Sequence, residues 1–136
     1  MTKKNLIIFM PSIEGGGVEK NLFIIANYLS KKINNISLIT TSYKYKKKFN
    51  RKINIILPKE KYWDKFSRRL KYLICLLMLF KKLIKNKNYI VFAFQANLYC
   101  VLICKLLSIK IIIRSNSAPE GWSKNIIKKI LYKNII

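Results

Sequence analysis

The chain has 136 residues, 51% of them hydrophobic and 12% aromatic, so it is long enough for one domain with a buried core and too apolar to remain disordered. Lys and Arg number 28 against 5 acidic residues, a formal net charge of +23 (28 − 5), and there is no histidine. The electric field of so large a positive charge favours an anionic partner. Part of the excess of basic residues, however, is what AT-rich codons produce in a sequence rich in Lys, Asn and Ile. Without histidine, Ser–His and Cys–His catalysis are excluded.

The three cysteines lie in apolar surroundings and include no CxxC pair. We therefore expect Cys75, Cys100 and Cys104 to be small core residues of a protein in a reducing compartment. We predict no metal site, because no histidine is present to complete one. The N-terminus lacks the apolar core and cleavage site of a signal peptide, and the longest uninterrupted apolar stretch, residues 72–80, is far shorter than the ~20 residues that span a bilayer. We expect a cytoplasmic protein.

The hydrophobic pattern predicts strands that alternate with helices. Short β-branched runs predict strands over residues 5–10, 36–41, 53–57, 89–94 and 109–113. Apolar residues at three- and four-residue steps predict helices over residues 18–33, 63–85, 98–107 and 124–136. The fold class predicted from this order is α/β, with a doubly wound, mostly parallel Rossmann-like sheet and helices on both faces.

Three consecutive glycines, Gly15, Gly16 and Gly17, connect the first predicted strand to the first helix. Glycine permits positive φ and the close approach of a ligand to the backbone, and the start of the following helix favours an anion such as phosphate. The alternative is a tight turn without a ligand. The segment matches neither the P-loop nor the dinucleotide fingerprint.

Polar residues also follow the fourth and fifth predicted strands, at Gln95 and Asn97 and at Arg114 and Asn116. Because ligands bind beyond the carboxyl ends of parallel strands, we expect these residues to converge with the glycine turn. Gln95 and Asn97 either bind a substrate or serve the fold, with Asn97 as a helix N-cap. Arg114 either clamps a phosphate or forms a local salt bridge.

The predicted helix over residues 63–85 allows two interpretations. Either its apolar part is buried against the sheet, or the basic, aromatic-bearing helix lies on an anionic membrane surface. We favour burial of residues 72–80, together with lipid contact by the residues around the start of the helix: Trp63, Lys65, Arg68 and Arg69.

The segment P-S-I-E-G-G-G-V-E-K-N-L at residues 11–22, followed by A-N-Y-L at residues 26–29, resembles the N-terminal half of a GT-B glycosyltransferase of family 4. In that family a GG-x-E turn precedes an x-x-LA-x-x-L helix. F-Q-A-N at residues 94–97 and I-R-S-N-S-A-P at residues 113–119 resemble the family's fourth- and fifth-strand loops. The resemblance implies that residues 1–136 form the acceptor-side Rossmann-like domain of a GT-B fold and that the C-terminal donor-binding domain is absent. We therefore expect this chain alone to be inactive.

For function, the resemblance implies transfer of a sugar from a nucleotide-sugar donor to a lipid-linked or surface-glycan acceptor, with retention of anomeric configuration and without a metal or other cofactor. It places Gly16 and Gly17 at the donor diphosphate. The residues that it places on the acceptor side, or as lining of the cleft, are Gln95, Asn97, Arg114 and Asn116. Many members carry a histidine where Asn116 stands, so no catalytic residue is assigned.

The implied setting is the cytoplasmic face of the inner membrane, with peripheral attachment to its anionic surface. A separately encoded C-terminal domain is a further expected partner. The alternative function is a non-catalytic basic module that binds anionic membrane or nucleic acid, with affinity that falls steeply with salt. Nucleic acid is the less favoured of these partners, because the sequence lacks the motifs of nucleic-acid-binding domains.

Overall fold

The structure is a computed structural model that describes residues 5–114. Its five strands form one parallel sheet: β1 (Asn5–Phe9), β2 (Ile36–Ile39), β3 (Ile53–Ile56), β4 (Tyr89–Ala93) and β5 (Lys110–Ile113). The spatial order is β3-β2-β1-β4-β5, so the chain starts in the middle, moves to one edge and then crosses to the other side. This confirms the predicted α/β class with a parallel, doubly wound sheet.

Three α-helices connect the strands: α1 (Gly17–Leu29), α2 (Arg68–Lys85) and α3 (Asn97–Leu106). Short 3-10 helices cover Tyr43–Lys48, before β3, and Lys61–Lys65, before α2. No helix within residues 5–114 is long and apolar enough to cross a membrane.

The central strand β1 is buried on both faces, which explains its continuous apolar run. Leu6 and Ile8 point to the face covered by α1, where they pack in one core cluster with Leu22. Ile7 and Phe9 point to the opposite face, where the core contains side chains from α2 and α3. The helices therefore lie on both faces, as predicted.

All three cysteines belong to this second core, so the prediction that they are buried is confirmed. Burial raises the pKa of Cys75 to about 12 and that of Cys104 to about 11, and it raises the pKa of Cys100 further. At neutral pH these thiols stay protonated, so they are poor nucleophiles and poor metal ligands.

The structure corrects three of the predicted helical features. The first helix ends at Leu29 rather than residue 33, because after Ser30 the backbone changes to i→i−3 hydrogen bonds, from Lys31 to Tyr28 and from Lys32 to Leu29. The helix predicted from residue 63 begins at Arg68. Burial of residues 72–80 was also wrong in part: Cys75 and Leu79 are buried, whereas Leu73 and Leu77 are exposed. The predicted helix over residues 124–136 and the loop with Asn116 lie outside the described residues.

Candidate functional site

The carboxyl ends of the parallel strands bring the predicted polar residues to one edge of the sheet. The Ser12 amide, in the loop after β1, donates a hydrogen bond to Gln95 Oε1 in the loop after β4 (3.2 Å). Asn97 Nδ2 donates to the backbone oxygen of Arg114 after β5 (2.9 Å). Gln95, Asn97 and Arg114 thus occupy neighbouring loops with the glycine turn, and a ligand role for each remains a prediction.

The backbone that leads into the glycine turn is held firmly by the loop after β2. The Thr41 amide and hydroxyl both donate to the Pro11 carbonyl, at 3.0 and 2.9 Å. The Ile13 amide donates to Ser42 Oγ (3.0 Å), and both of these residues are buried. The turn therefore starts from a fixed point and does not need a ligand to set its position.

The three glycines have different roles in the structure. Gly15 has φ of +94°, and a Cβ there would lie 3.2 Å from Tyr45 Oη, so the fold itself requires glycine at this position. Gly16 is the N-cap of α1 with extended backbone angles. Gly17 is the first helical residue, and a Cβ there would meet no atom of the described residues within 4 Å. Its missing side chain leaves open space at the helix N-terminus.

Glu19 lies in the first turn of α1 and folds back towards the turn. Its Oε1 accepts a hydrogen bond from the Glu14 amide (3.4 Å), and its side chain is buried. A Cβ on Gly16 would lie 3.0 Å from Glu19 Oε2. A carboxylate at this position interacts favourably with the positive end of the helix dipole, and the small size of Gly16 lets it fold back.

Arg68 connects the start of α2 to the glycine turn. Its Nε donates to Glu14 Oε1 (3.3 Å) and its Nη2 to Glu14 Oε2, while Ser12 Oγ also donates to Glu14 Oε1 (3.0 Å). The hydrogen bond from Arg68 lowers the pKa of Glu14, and the Glu14 carboxylate raises the pKa of Arg68. This link joins a predicted membrane-contact residue to the candidate phosphate turn. Residues 14 and 68 are far apart in sequence, and no sequence motif indicated that their side chains are in contact.

Asn97 is not the helix N-cap. That position belongs to Ala96, which has φ of +54° and no polar side chain with which to cap the helix. Asn97 Oδ1 and Arg114 Nη1 are instead buried atoms without a hydrogen-bond partner among residues 5–114. One is an acceptor and the other a donor, so each needs a partner of the opposite kind, and a hydroxyl group or a water can serve as either.

The Arg114 guanidinium lies over the ring of Phe94, 5.6 Å from its centroid. Within residues 5–114 it forms no ion pair. The local salt bridge considered from the sequence is therefore not present in the described part of the chain. A buried guanidinium donor is available for an oxygen ligand.

The remaining predicted membrane residues surround the start of α2. Trp63 packs in an aromatic cluster with Tyr62 and Phe66, with ring centroids 5.7 and 5.3 Å away. Lys65 and Arg69 are exposed. Within residues 5–114 no group of acidic, Cys or His side chains is arranged to hold a metal ion.

Comparison of the chain with protein-family models, with curated proteins and with solved structures gives no match. The resemblance to family 4 glycosyltransferases therefore rests on the motifs of the sequence alone.

Proposed function

We propose that this chain is the acceptor-side domain of a GT-B glycosyltransferase of family 4, which transfers a sugar from a nucleotide-sugar donor to a lipid-linked or surface-glycan acceptor. The observation that carries the proposal is the open space at Gly17. The fold needs glycine at position 15, but neither the backbone angle nor the packing of residues 5–114 requires it at position 17. A glycine without a structural requirement, at the N-terminus of a helix, suits the close approach of a phosphate group.

The chemistry of sugar transfer explains why such a position is useful. When the bond between the sugar and the diphosphate breaks, negative charge develops on the leaving phosphate oxygens. Amide N–H groups at the start of α1 stabilise this charge without reorganisation, because the fold already holds them in place. In the proposal Gly16 and Gly17 lie against the donor diphosphate.

The residues that follow β4 and β5 suit a sugar or glycan acceptor. A hydroxyl group both donates and accepts hydrogen bonds, so the hydroxyls of a sugar suit Asn97 Oδ1 and Arg114 Nη1, which have no partner among residues 5–114. Gln95 lies next to the loop that leads into the glycine turn, because the Ser12 amide donates to its Oε1. In the proposal these residues bind the acceptor, and the chain is attached peripherally to the cytoplasmic face of the membrane.

NMR titration of the whole chain with nucleotide sugars tests the donor part of the proposal. We expect chemical-shift changes at the amides of residues 16–19, because the first N–H groups of a helix have no partner within the helix and attract an anion. The Gly17→Val variant should lose these changes while it keeps its fold. Shifts that inorganic sulfate reproduces in full, or that disappear steeply with salt and do not depend on the sugar nucleotide, would support the basic-module alternative.

A second measurement tests the missing half of the site. We expect the chain to transfer sugar only when it is combined with a donor-binding domain, and we expect Gly17→Val to abolish that transfer. Full activity of Gly17→Val in the combined enzyme would refute the role of the glycine turn.

A further inference from the structure

Helix α2 has apolar side chains on two opposite faces. Its inner face, with Cys75, Leu79 and Leu83, is completely buried in the core. A second set is exposed by 42 to 56% and forms what we call the outer stripe: Leu70, Leu73, Leu77 and Ile84. At 3.6 residues per turn these four side chains fall within an arc of about 60°, on the side of the helix away from the core.

Cationic side chains flank the outer stripe along the helix. Arg69 lies on one side of it, and Lys81 and Lys85 lie on the other, as the helical spacing requires. All three are exposed, none pairs with an acidic residue within residues 5–114, and α2 itself contains no acidic residue. The surface therefore combines an apolar centre with positive margins.

Exposed aromatic residues also precede the start of the helix. Phe66 and Tyr62 are 42% and 52% exposed, with ring centroids 5.8 Å apart. Aromatic side chains of this kind favour the boundary between water and the lipid headgroups.

Charge complementarity decides what covers such a surface. A second copy docked face to face would bring Arg69, Lys81 and Lys85 against cations of the same helix, with no acidic residue on α2 to compensate. An anionic bilayer accepts the apolar side chains among its acyl chains and the cations at its headgroups. It offers a complement to both parts of the surface at once.

We propose that the outer stripe of α2 is a membrane-binding surface, on which the helix lies in the plane of an anionic lipid bilayer. The inference rests on the membrane setting of the proposed function and is independent of sugar transfer. It places lipid contact along α2, rather than only at Trp63, Lys65, Arg68 and Arg69. Because Arg68 is bound to Glu14, the glycine turn is connected directly to the membrane-bound helix.

The test is co-sedimentation of the whole chain with vesicles made of equal parts phosphatidylglycerol and phosphatidylcholine. The double variant Leu73→Gln, Leu77→Gln removes the centre of the outer stripe. About half of each leucine side chain is exposed and would be buried in the bilayer, and glutamine would not gain this burial. We therefore expect the partition of the variant onto the vesicles to fall by about tenfold to a hundredfold. The matched control is Leu102→Gln, Leu106→Gln, which changes two exposed leucines on α3 and should bind like the wild type.

Each result has a distinct meaning. Unchanged binding of the α2 variant, or an equal loss in the α3 control, would overturn the stripe as the contact surface. Failure of the wild type to bind the vesicles would overturn both the stripe and the membrane setting. Neither result would affect the nucleotide-sugar titration, which tests the cleft separately. Thermal unfolding of each variant verifies that it is folded.

A matched pair of charge variants tests the positive margin. Lys81→Gln, Lys85→Gln should weaken binding to the anionic vesicles more than Lys46→Gln, Lys47→Gln, which removes two exposed lysines from the 3-10 helix before β3. Equal effects of the two pairs would show attraction by net charge alone, and would overturn the directed docking of α2.

Discussion

Substitution of alanine at Gly15 and at Gly17 should have opposite effects on stability. At Gly15 the added Cβ meets a φ of +94° and lies 3.2 Å from Tyr45 Oη, so we expect a strain of about 1 to 2 kcal/mol. At Gly17 the Cβ enters open space at the first position of α1. There alanine should stabilise the protein by about 0.4 to 1 kcal/mol, because it restricts the unfolded chain. The two variants should differ by about 1 to 2 kcal/mol, which is the strain at Gly15, because the gain from the restricted unfolded chain is the same in both.

The measurement is urea unfolding of both variants and the wild type under the same conditions. Both changes add one methyl group and restrict the unfolded chain equally, so their difference reports the folded state. Equal free energies of unfolding, or a Gly15→Ala variant more stable than Gly17→Ala, would refute the reasoning. The pair also supports the functional test, since a stable Gly17 variant shows that loss of transfer is not loss of folding.

The other predictions concern contacts at the site and in the core. A double-mutant cycle with Glu14→Gln and Arg68→Met should give a coupling of about 0.2 to 1 kcal/mol, because both side chains are about half exposed; a coupling of several kcal/mol would contradict this. Since Arg68 lowers the pKa of Glu14, the pair stabilises the protein above the ordinary value of 4.5, and that contribution is lost as the pH falls through the lowered pKa. As the pH is lowered, the free energy of unfolding should therefore fall more for the wild type than for Glu14→Gln. Free energies that fall in parallel for the two proteins would argue against this contribution. Gln95→Ala should cost about 1 to 3 kcal/mol in urea unfolding, because the buried Ser12 amide loses its acceptor, whereas Gln95→Glu keeps one and should cost less; equal losses would exclude this hydrogen bond as the cause. In a thiol-reagent assay at pH 8 the buried thiols of Cys75, Cys100 and Cys104 should not react in the folded protein, and all three should react once urea has unfolded it. A rapid reaction of the folded protein would contradict their burial.

Much of the fold could be predicted because hydrophobic periodicity is a local signal. The five strands, their parallel arrangement and the burial of β1 on both faces follow from short apolar runs separated by helical patterns. The burial of residues 72–80 was harder to predict from the sequence, because a continuous apolar run does not show which of its side chains face the core. Only the packing of α2 on the sheet separates Cys75 and Leu79 from Leu73 and Leu77.

The candidate site was predictable in its location but not in its contacts. Loops that follow parallel strands share one edge of the sheet, so the expected meeting of Gln95, Asn97 and Arg114 required only the strand order. Of the two roles considered for Asn97, the N-cap is not the one observed, because Ala96 takes that position with a left-handed backbone and Asn97 is the first helical residue. Backbone angles of this kind depend on the whole connection between β4 and α3.

By itself, the sequence determined the alternation of strands and helices, the large positive charge and the position of a glycine turn before the first helix. These features depend on residue types and on spacings of a few residues, so local physics is sufficient for them. The tertiary structure alone decided that Arg68 binds Glu14, that the Ser12 amide binds Gln95, and that open space surrounds Gly17 but not Gly15. These contacts join residues far apart in sequence, and they exist only once the folded sheet has brought its loops to the same edge.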